Sequence, residues 1–165
     1  MFVRTYAGAI VGIDAVRVTV EVNLAGSGMG LFLVGLPDSA VKESEERIRA
    51  AFENCGRRMS GRKTVVNLAP ADLRKEGAAF DLPIAVGMLA AMEQVENDRL
   101  EESLFLGELS LDGTLRPVKG VLPIVAKARE TGLKRVVVPQ ENGEEAAVID
   151  GIEVLAANHL QEVIE

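Results

Sequence analysis

The residues of this chain that could do chemistry are few, and most lie between positions 39 and 81. Ser39 and Lys42 form an S-x-x-K pair, the spacing at which a lysine amine can take the proton of a serine hydroxyl. Arg57, Arg58, Arg62, Lys63, Arg74 and Lys75 follow, with Asp72 the one acid among them. That segment therefore carries about +5, while the rest of the chain carries about −12. Such a cluster reads either as a solvated loop or as a surface that meets anions, nucleic acid included. The loop Ala71 to Phe80 holds Arg74, Lys75, Glu76 and Gly77 between a strand and a buried helix, a place where α/β proteins often put chemistry.

Other candidates carry less. The S-x-x-K pair has no S-D-N or K-T-G companion, and the start of a helix is reason enough for Ser39. Gly26, Gly28 and Gly30 make a G-x-G-x-G run that opens a strand and not a helix, so it reads as a hairpin turn and not as a dinucleotide fingerprint. No G-x-x-x-x-G-K-[ST] occurs, so these residues contain no P-loop. Cys55 falls on a helical stripe with Val41, Ser44, Ile48, Ala51 and Phe52, where it acts as a small core hydrophobe. A lone cysteine excludes an internal disulfide, and with one histidine it is a poor basis for a metal site. His159 opens the last helix and reads as a surface or capping residue.

The elements that must position these groups follow from the patterning. Phe2 to Gly12 and Ala15 to Leu24 read as strands, the second alternating Val16, Val18, Val20, Val22 and Leu24 against Arg17, Thr19, Glu21 and Asn23. Leu31 to Leu36 is a third. Pro37 and Asp38 announce a helix that Gly56 stops, with Lys42, Glu43, Glu46, Arg47 and Arg49 mostly off its apolar stripe. Thr64 to Leu68 is a strand broken by Pro70, and Asp81 is placed to cap a helix apolar on nearly every face, with Pro83 in its first turn. After the connector Glu93 to Glu102 come a strand at Leu104 to Leu109, a turn at Asp112-Gly113, and a helix at Val118 to Thr131. The Val136-Val137-Val138 strand, a helix at Glu141 to Ile149, a strand at Ile152 to Ala156 and a helix at Leu160 to Ile164 complete the chain. This order predicts one α/β (α+β) domain over residues 1–165: an antiparallel meander, then βα units, in a mixed sheet with helices against it.

Nearly half the residues are hydrophobic but only 4% are aromatic, so the core is aliphatic. No apolar run approaches the roughly 20 residues of a membrane helix, and MFVRTYAGAIVGID lacks the basic start of a signal peptide. The chain reads as cytoplasmic, with no membrane partner.

Three long segments carry a resemblance. FLVGLPDSAVKES (32 to 44), TVVNLAPADLRKEGAAFDLPIAVGMLAA (64 to 91) and FLGELSLDGTLRPVKGVLPIVAKA (105 to 128) resemble, in order, the N-terminal domain of the magnesium chelatase-like AAA+ ATPases, the ComM/YifB family. The resemblance implies the ribosomal protein S5 domain 2-like fold, shared with the proteolytic domain of Lon and the C-terminal domain of RadA. It implies a longer protein, from which these residues are excised, whose ATPase module holds the ATP and magnesium. That protein resembles a hexameric helicase of DNA branch migration in natural transformation. This domain then supports ring assembly, contacts single- or double-stranded DNA without sequence preference, or does only the former as a scaffold. Its own cofactor set is empty, its partners are the ATPase module, like subunits and DNA, and Arg57, Arg58, Arg62, Lys63, Arg74 and Lys75 are its candidate DNA contacts. No porphyrin chemistry follows from the family's name.

The Lon resemblance can be laid on this chain residue by residue. Lon-type peptidases pair a serine, in a G-P-S-A-G segment after K-D or K-E, with a lysine in a downstream helix. Lys75-Glu76-Gly77-Ala78-Ala79 occupies the serine segment and Pro117-Val118-Lys119-Gly120-Val121-Leu122 the lysine segment. Ala79 and Leu122 then stand at the two catalytic positions, and neither a methyl nor an isobutyl group can attack a carbonyl or take a proton. The expectation is a domain without peptidase activity.

Overall fold

The computed structural model describes residues 1–96 and 98–164. Asn97, within the expected connector, and Glu165, at the end of the expected terminal helix, lie outside the described residues.

Alternating side chains build a hairpin from β1 (Phe2–Val11) and β2 (Asp14–Leu24), in a register that sets Arg4 opposite Glu21 and Ile10 opposite Ala15. β3 (Leu31–Val34) does not extend that hairpin. β4 (Thr64–Ala69) lies between them, antiparallel to β2 and parallel to β3. The hairpin expected at Gly26 to Gly30, and with it the third strand of the meander, is corrected. The Gly28 and Gly30 carbonyls accept from the Lys63 and Thr64 amides at 3.0 and 2.9 Å, which pins the glycine run to the start of β4. A four-residue apolar strand says it is buried on one side but not which neighbour it takes.

The helix announced by Pro37-Asp38 comes in two pieces, α1 (Ser39–Lys42) and α2 (Ser44–Asn54), divided at Glu43. Asp38 caps the first by accepting from the Val41 amide at 2.8 Å. α3 (Asp81–Ala91) is buried at every residue, as its all-round apolar sequence requires. It presses close on β2, because a Cβ at Gly87 would lie 2.8 Å from Val22.

β5 (Ser103–Phe105) stops short of the expected Leu109. The Gly107 amide turns to the Ala79 carbonyl, and β6 (Glu108–Leu109) instead pairs with β7 (Leu115–Arg116) in a separate ribbon around the Asp112-Gly113 turn. α4 (Val121–Glu130) begins three residues later than expected, after Gly120 in a left-handed conformation. β8 (Arg135–Pro139), α5 (Gly143–Ala146), β9 (Glu153–Ala157) and α6 (Leu160–Ile164) complete the order; the helix expected from Glu141 is a 3-10 turn followed by the short α5.

The result is a mixed α/β fold with a seven-stranded sheet in the order β3-β4-β2-β1-β5-β8-β9. The valines of β8 divide between its faces. Val137 joins the core that holds α2 and α3, while Val136 and Val138 join a second core under α4. This is the pattern of a strand covered on both sides.

Candidate functional site

The polar loop between β4 and α3 is tied to the turn that leaves β3. The Lys75 amide donates to the Leu36 carbonyl and the Asp38 amide to the Lys75 carbonyl, both at 2.9 Å. Gly35 makes this approach feasible: its φ is +105°, and a Cβ there would stand 2.1 Å from the Leu68 carbonyl oxygen. Leu36 follows with φ +57°, a left-handed conformation that is strained for a leucine, and its side chain remains exposed. The Asp38 carboxylate completes the tie by accepting from the Gly77 amide at 3.1 Å as well as from Val41. Gly77 therefore has no free amide for a substrate anion.

Lys75 is fully buried, with its ammonium donating to the Pro70 carbonyl. Burial pulls its pKa below the ordinary lysine value, and the Asp72 charge opposes that only partly. As a DNA contact Lys75 is corrected, because its charge never reaches the surface.

Asp81 does not cap α3. Phe80 holds the cap position without a side-chain bond, and Asp81 is the first helical residue. Its carboxylate, fully buried, accepts from Ser44 Oγ at 2.6 Å, from Arg47 Nε at 2.7 Å and Nη2 at 3.0 Å, and from the Leu109 amide at 3.0 Å. Four donors from α2 and β6 close around one acid. The hydrogen bond to Asp81 holds the Arg47 guanidinium pKa above its ordinary value despite partial burial. Arg47 lies off the apolar stripe of α2, so hydrophobic periodicity does not find this pairing; an arginine three residues after Ser44 is its only signal in the sequence.

The two segments aligned with the Lon pair border the same core. Ala79 is half-buried and packs against the same core as Val121 and Ile124 of α4, one residue and two residues from Leu122. Leu122 itself is 37% exposed. Where a serine hydroxyl meets a basic side chain among the described residues, the partner is an arginine: Arg47 for Ser44, Arg135 for Ser103, Arg116 for Ser110. Ser39 and Lys42 share a shallow depression of about 310 Å³ with Leu36, Asp38 and Arg74 but make no hydrogen bond to each other.

The basic segment is divided by β4. Arg57, Arg58, Arg62 and Lys63 lie in the loop before it, and Arg74 lies beyond its other end, ~20 Å away at the rise of a strand. Arg57 donates to the Gln94 carbonyl at 3.3 Å, and Arg74 pairs with Glu76 at 3.3 Å on the surface. Arg58, Arg62 and Lys63 are exposed, with the Lys63 ammonium 5.2 Å from the centre of the Phe32 ring. The expected single basic face is thus one cluster before β4 and a separate Arg74.

Cys55 packs half-buried against the α2–α3 core, and burial pushes its thiol pKa up against the pull of Arg57. His159 is a cap: Nδ1 accepts from the Gln161 amide at 3.1 Å, which leaves the hydrogen on Nε2 to donate to the Asp112 carbonyl at 2.8 Å. Among the described residues no group of three or more His, Cys, Asp or Glu could hold a metal ion, and no helix is long and apolar enough to cross a membrane.

Residues 20–142 match the family described as subunit ChlI of Mg-chelatase. The chain is 43% identical over 155 residues to YifB of Escherichia coli and 39% identical over 160 residues to the competence protein ComM of Haemophilus influenzae. These alignments take in 94% and 97% of this chain but 30% and 31% of those relatives, so the chain spans about a third of their length. Lon protease 2 of Bacillus subtilis is more distant, 30% identical over 128 residues, or 77% of this chain and 23% of that protein.

Proposed function

Because this chain belongs to the family of Mg-chelatase subunit ChlI, we propose that it is a non-catalytic domain of a longer AAA+ ATPase that works on DNA. In this reading it supports assembly of a ring of like subunits and touches DNA through phosphates alone. The likeness to a competence protein suits DNA handling, and the setting in this reading is a DNA branch-migration helicase of the cytoplasm. The domain brings no cofactor of its own; ATP and magnesium belong to an ATPase module, which is its first partner.

The observation that carries the reading is what stands at the two Lon-aligned positions: Ala79, which borders the core under α4, and Leu122, neither of which bears a group that can attack or accept a proton. The fold of a hydrolase remains without its chemistry, which leaves its surfaces to do the work. Arg57, Arg58, Arg62 and Lys63 are the surface that suits phosphates, with Arg74 apart from them.

A scaffold that never touches DNA is the second reading, favoured by the internal bonds of Arg57 and Arg74. Charge reversal at Arg58, Arg62 and Lys63 in the whole ATPase separates the two. Hexamers that survive while DNA affinity falls support the DNA contact; hexamers that break while DNA is still held support the scaffold. Intact hexamers with unchanged affinity contradict both.

A further inference from the structure

α4 covers only part of its face of the sheet. Ile124 sits where a Cβ of Gly8 would be, at the far half of β1 and β2, and Tyr6 borders the core under α4; beyond it, Phe2, Arg4, Asn23, Phe32 and Val34 are exposed, and among the described residues no helix covers them. Strand pairing fixes what that open half displays. One row across the four strands runs Phe2, Asn23, Val65, Phe32, and the next runs Arg4, Glu21, Asn67, Val34.

Three of the chain's six aromatic residues lie on this face, and each has a cation over its ring. Arg4 stands 5.1 Å from the centre of Phe2, Arg17 stands 4.6 Å from Tyr6, and Lys63 stands 5.2 Å from Phe32. Phe2 and Phe32 are 50% and 48% exposed, at opposite edges of the four strands and so ~14 Å apart. In a chain of net charge −7, the face sets Arg4, Arg17 and Lys63 against Glu21 and Glu101, both of which pair with Arg4 at 3.9 Å, so Arg17 and Lys63 are the cations that acids on this face do not offset. Large rings are normally buried; Phe2 and Phe32 are exposed, while Tyr6 is half-buried at the border of the α4 core, and exposed rings on a sheet face suit a planar partner.

We infer that the open face of β1, β2, β4 and β3 is a stacking platform for single-stranded nucleic acid. Bases stack on the Phe2, Tyr6 and Phe32 rings or on the guanidinium planes of Arg4 and Arg17, while the cations meet phosphates. A duplex cannot use it, because its bases already stack on one another. The inference rests on the DNA-handling reading for the class of partner but assigns a surface distinct from the Arg57 to Lys63 loop, with Lys63 bordering both.

Tyr6 supplies the test, since the chain has one tyrosine and no tryptophan. Oligo-dT and a duplex of equal length are titrated into the full chain at low salt. Tyrosine emission and the anisotropy of labelled DNA are followed together, with correction for absorbance by the bases. The inference expects saturable quenching by oligo-dT and none by duplex. It expects Phe32→Ala and Phe2→Ala each to weaken oligo-dT binding about tenfold or more, with the unfolding midpoint checked for each variant. DNA binding without tyrosine quenching, insensitive to Phe32→Ala and lost on Arg58→Glu with Arg62→Glu, overturns the platform and leaves the loop contact standing. Quenching that survives those two reversals supports the platform and removes the loop. No binding of either DNA overturns both.

Discussion

Arg47 and Asp81 form a two-pronged ion pair, Nε to Oδ2 at 2.7 Å and Nη2 to Oδ1 at 3.0 Å, in which the acid is wholly buried and the base 19% exposed. The pair joins α2 to the start of α3, and Ser44 and the Leu109 amide bind the same carboxylate. A charge taken out of water is tolerated when every lone pair is met, and becomes costly when one partner is removed.

Arg47→Ala is therefore expected to destabilise the domain by about 3 kcal/mol in urea unfolding. Asp81→Ala leaves Ser44, Arg47 and Leu109 short of an acceptor and costs at least as much. The double variant should cost clearly less than the sum of the two, because the groups act as one network. Additive losses would mean that the pair contributes nothing as a pair.

Lys75 gives a pH signature. Burial sets its folded pKa below its unfolded one, so between those values the unfolded chain holds a proton that the folded chain lacks. Stability contributed by this site must rise with pH towards the ordinary lysine value. Lys75→Met should be at least as stable as the parent at pH 7 and should flatten the rise from pH 7 to 10. An unchanged pH slope in the variant would show that the amine is not desolvated as described.

The turn between β3 and α1 can be tested from both sides. Gly35→Ala puts a methyl against the Leu68 carbonyl at a left-handed φ and is expected to cost about 3 kcal/mol. Leu36→Gly relieves a left-handed leucine and should stabilise by about 1 kcal/mol. If Leu36→Gly is destabilising, the conformation at Leu36 is not strained.

These residues also mark how far the sequence could be read. The alternation of Val18, Val20 and Val22, the buried helix from Asp81 and the helix start at Pro37-Asp38 were legible because period and local chemistry decide them; that Asp38 and not Ser39 is the cap came from the structure. The place of β3 was not, since it depends on Gly28 and Gly30 bonding to residues more than thirty positions away. Asp81 and Lys75 misled for one reason: an acid at a helix start and a lysine in a polar loop look solvent-facing until tertiary contacts close over them. Of the candidate site, Ala79 and Leu122 at the Lon-aligned positions are read from the sequence alone. The division of the basic segment and the row from Phe2 to Phe32 required the strand order.

The chain is expected to release no peptides from a casein-type substrate, and Ser39→Ala should change nothing. Turnover abolished by Ser39→Ala would restore the S-x-x-K reading. Turnover that survives it would place a hydrolytic group elsewhere on the fold.

The central claim is that this fold has exchanged hydrolysis for contact with nucleic acid, and the most direct measurement is the salt dependence of DNA binding by the chain. Affinity for labelled single-stranded DNA should fall with a slope of about −2 to −3 in log K against log salt, as three to four phosphate contacts require, and reversing Arg58, Arg62 and Lys63 should reduce that slope. No binding at the lowest salt, or an affinity indifferent to salt and to those reversals, would contradict it.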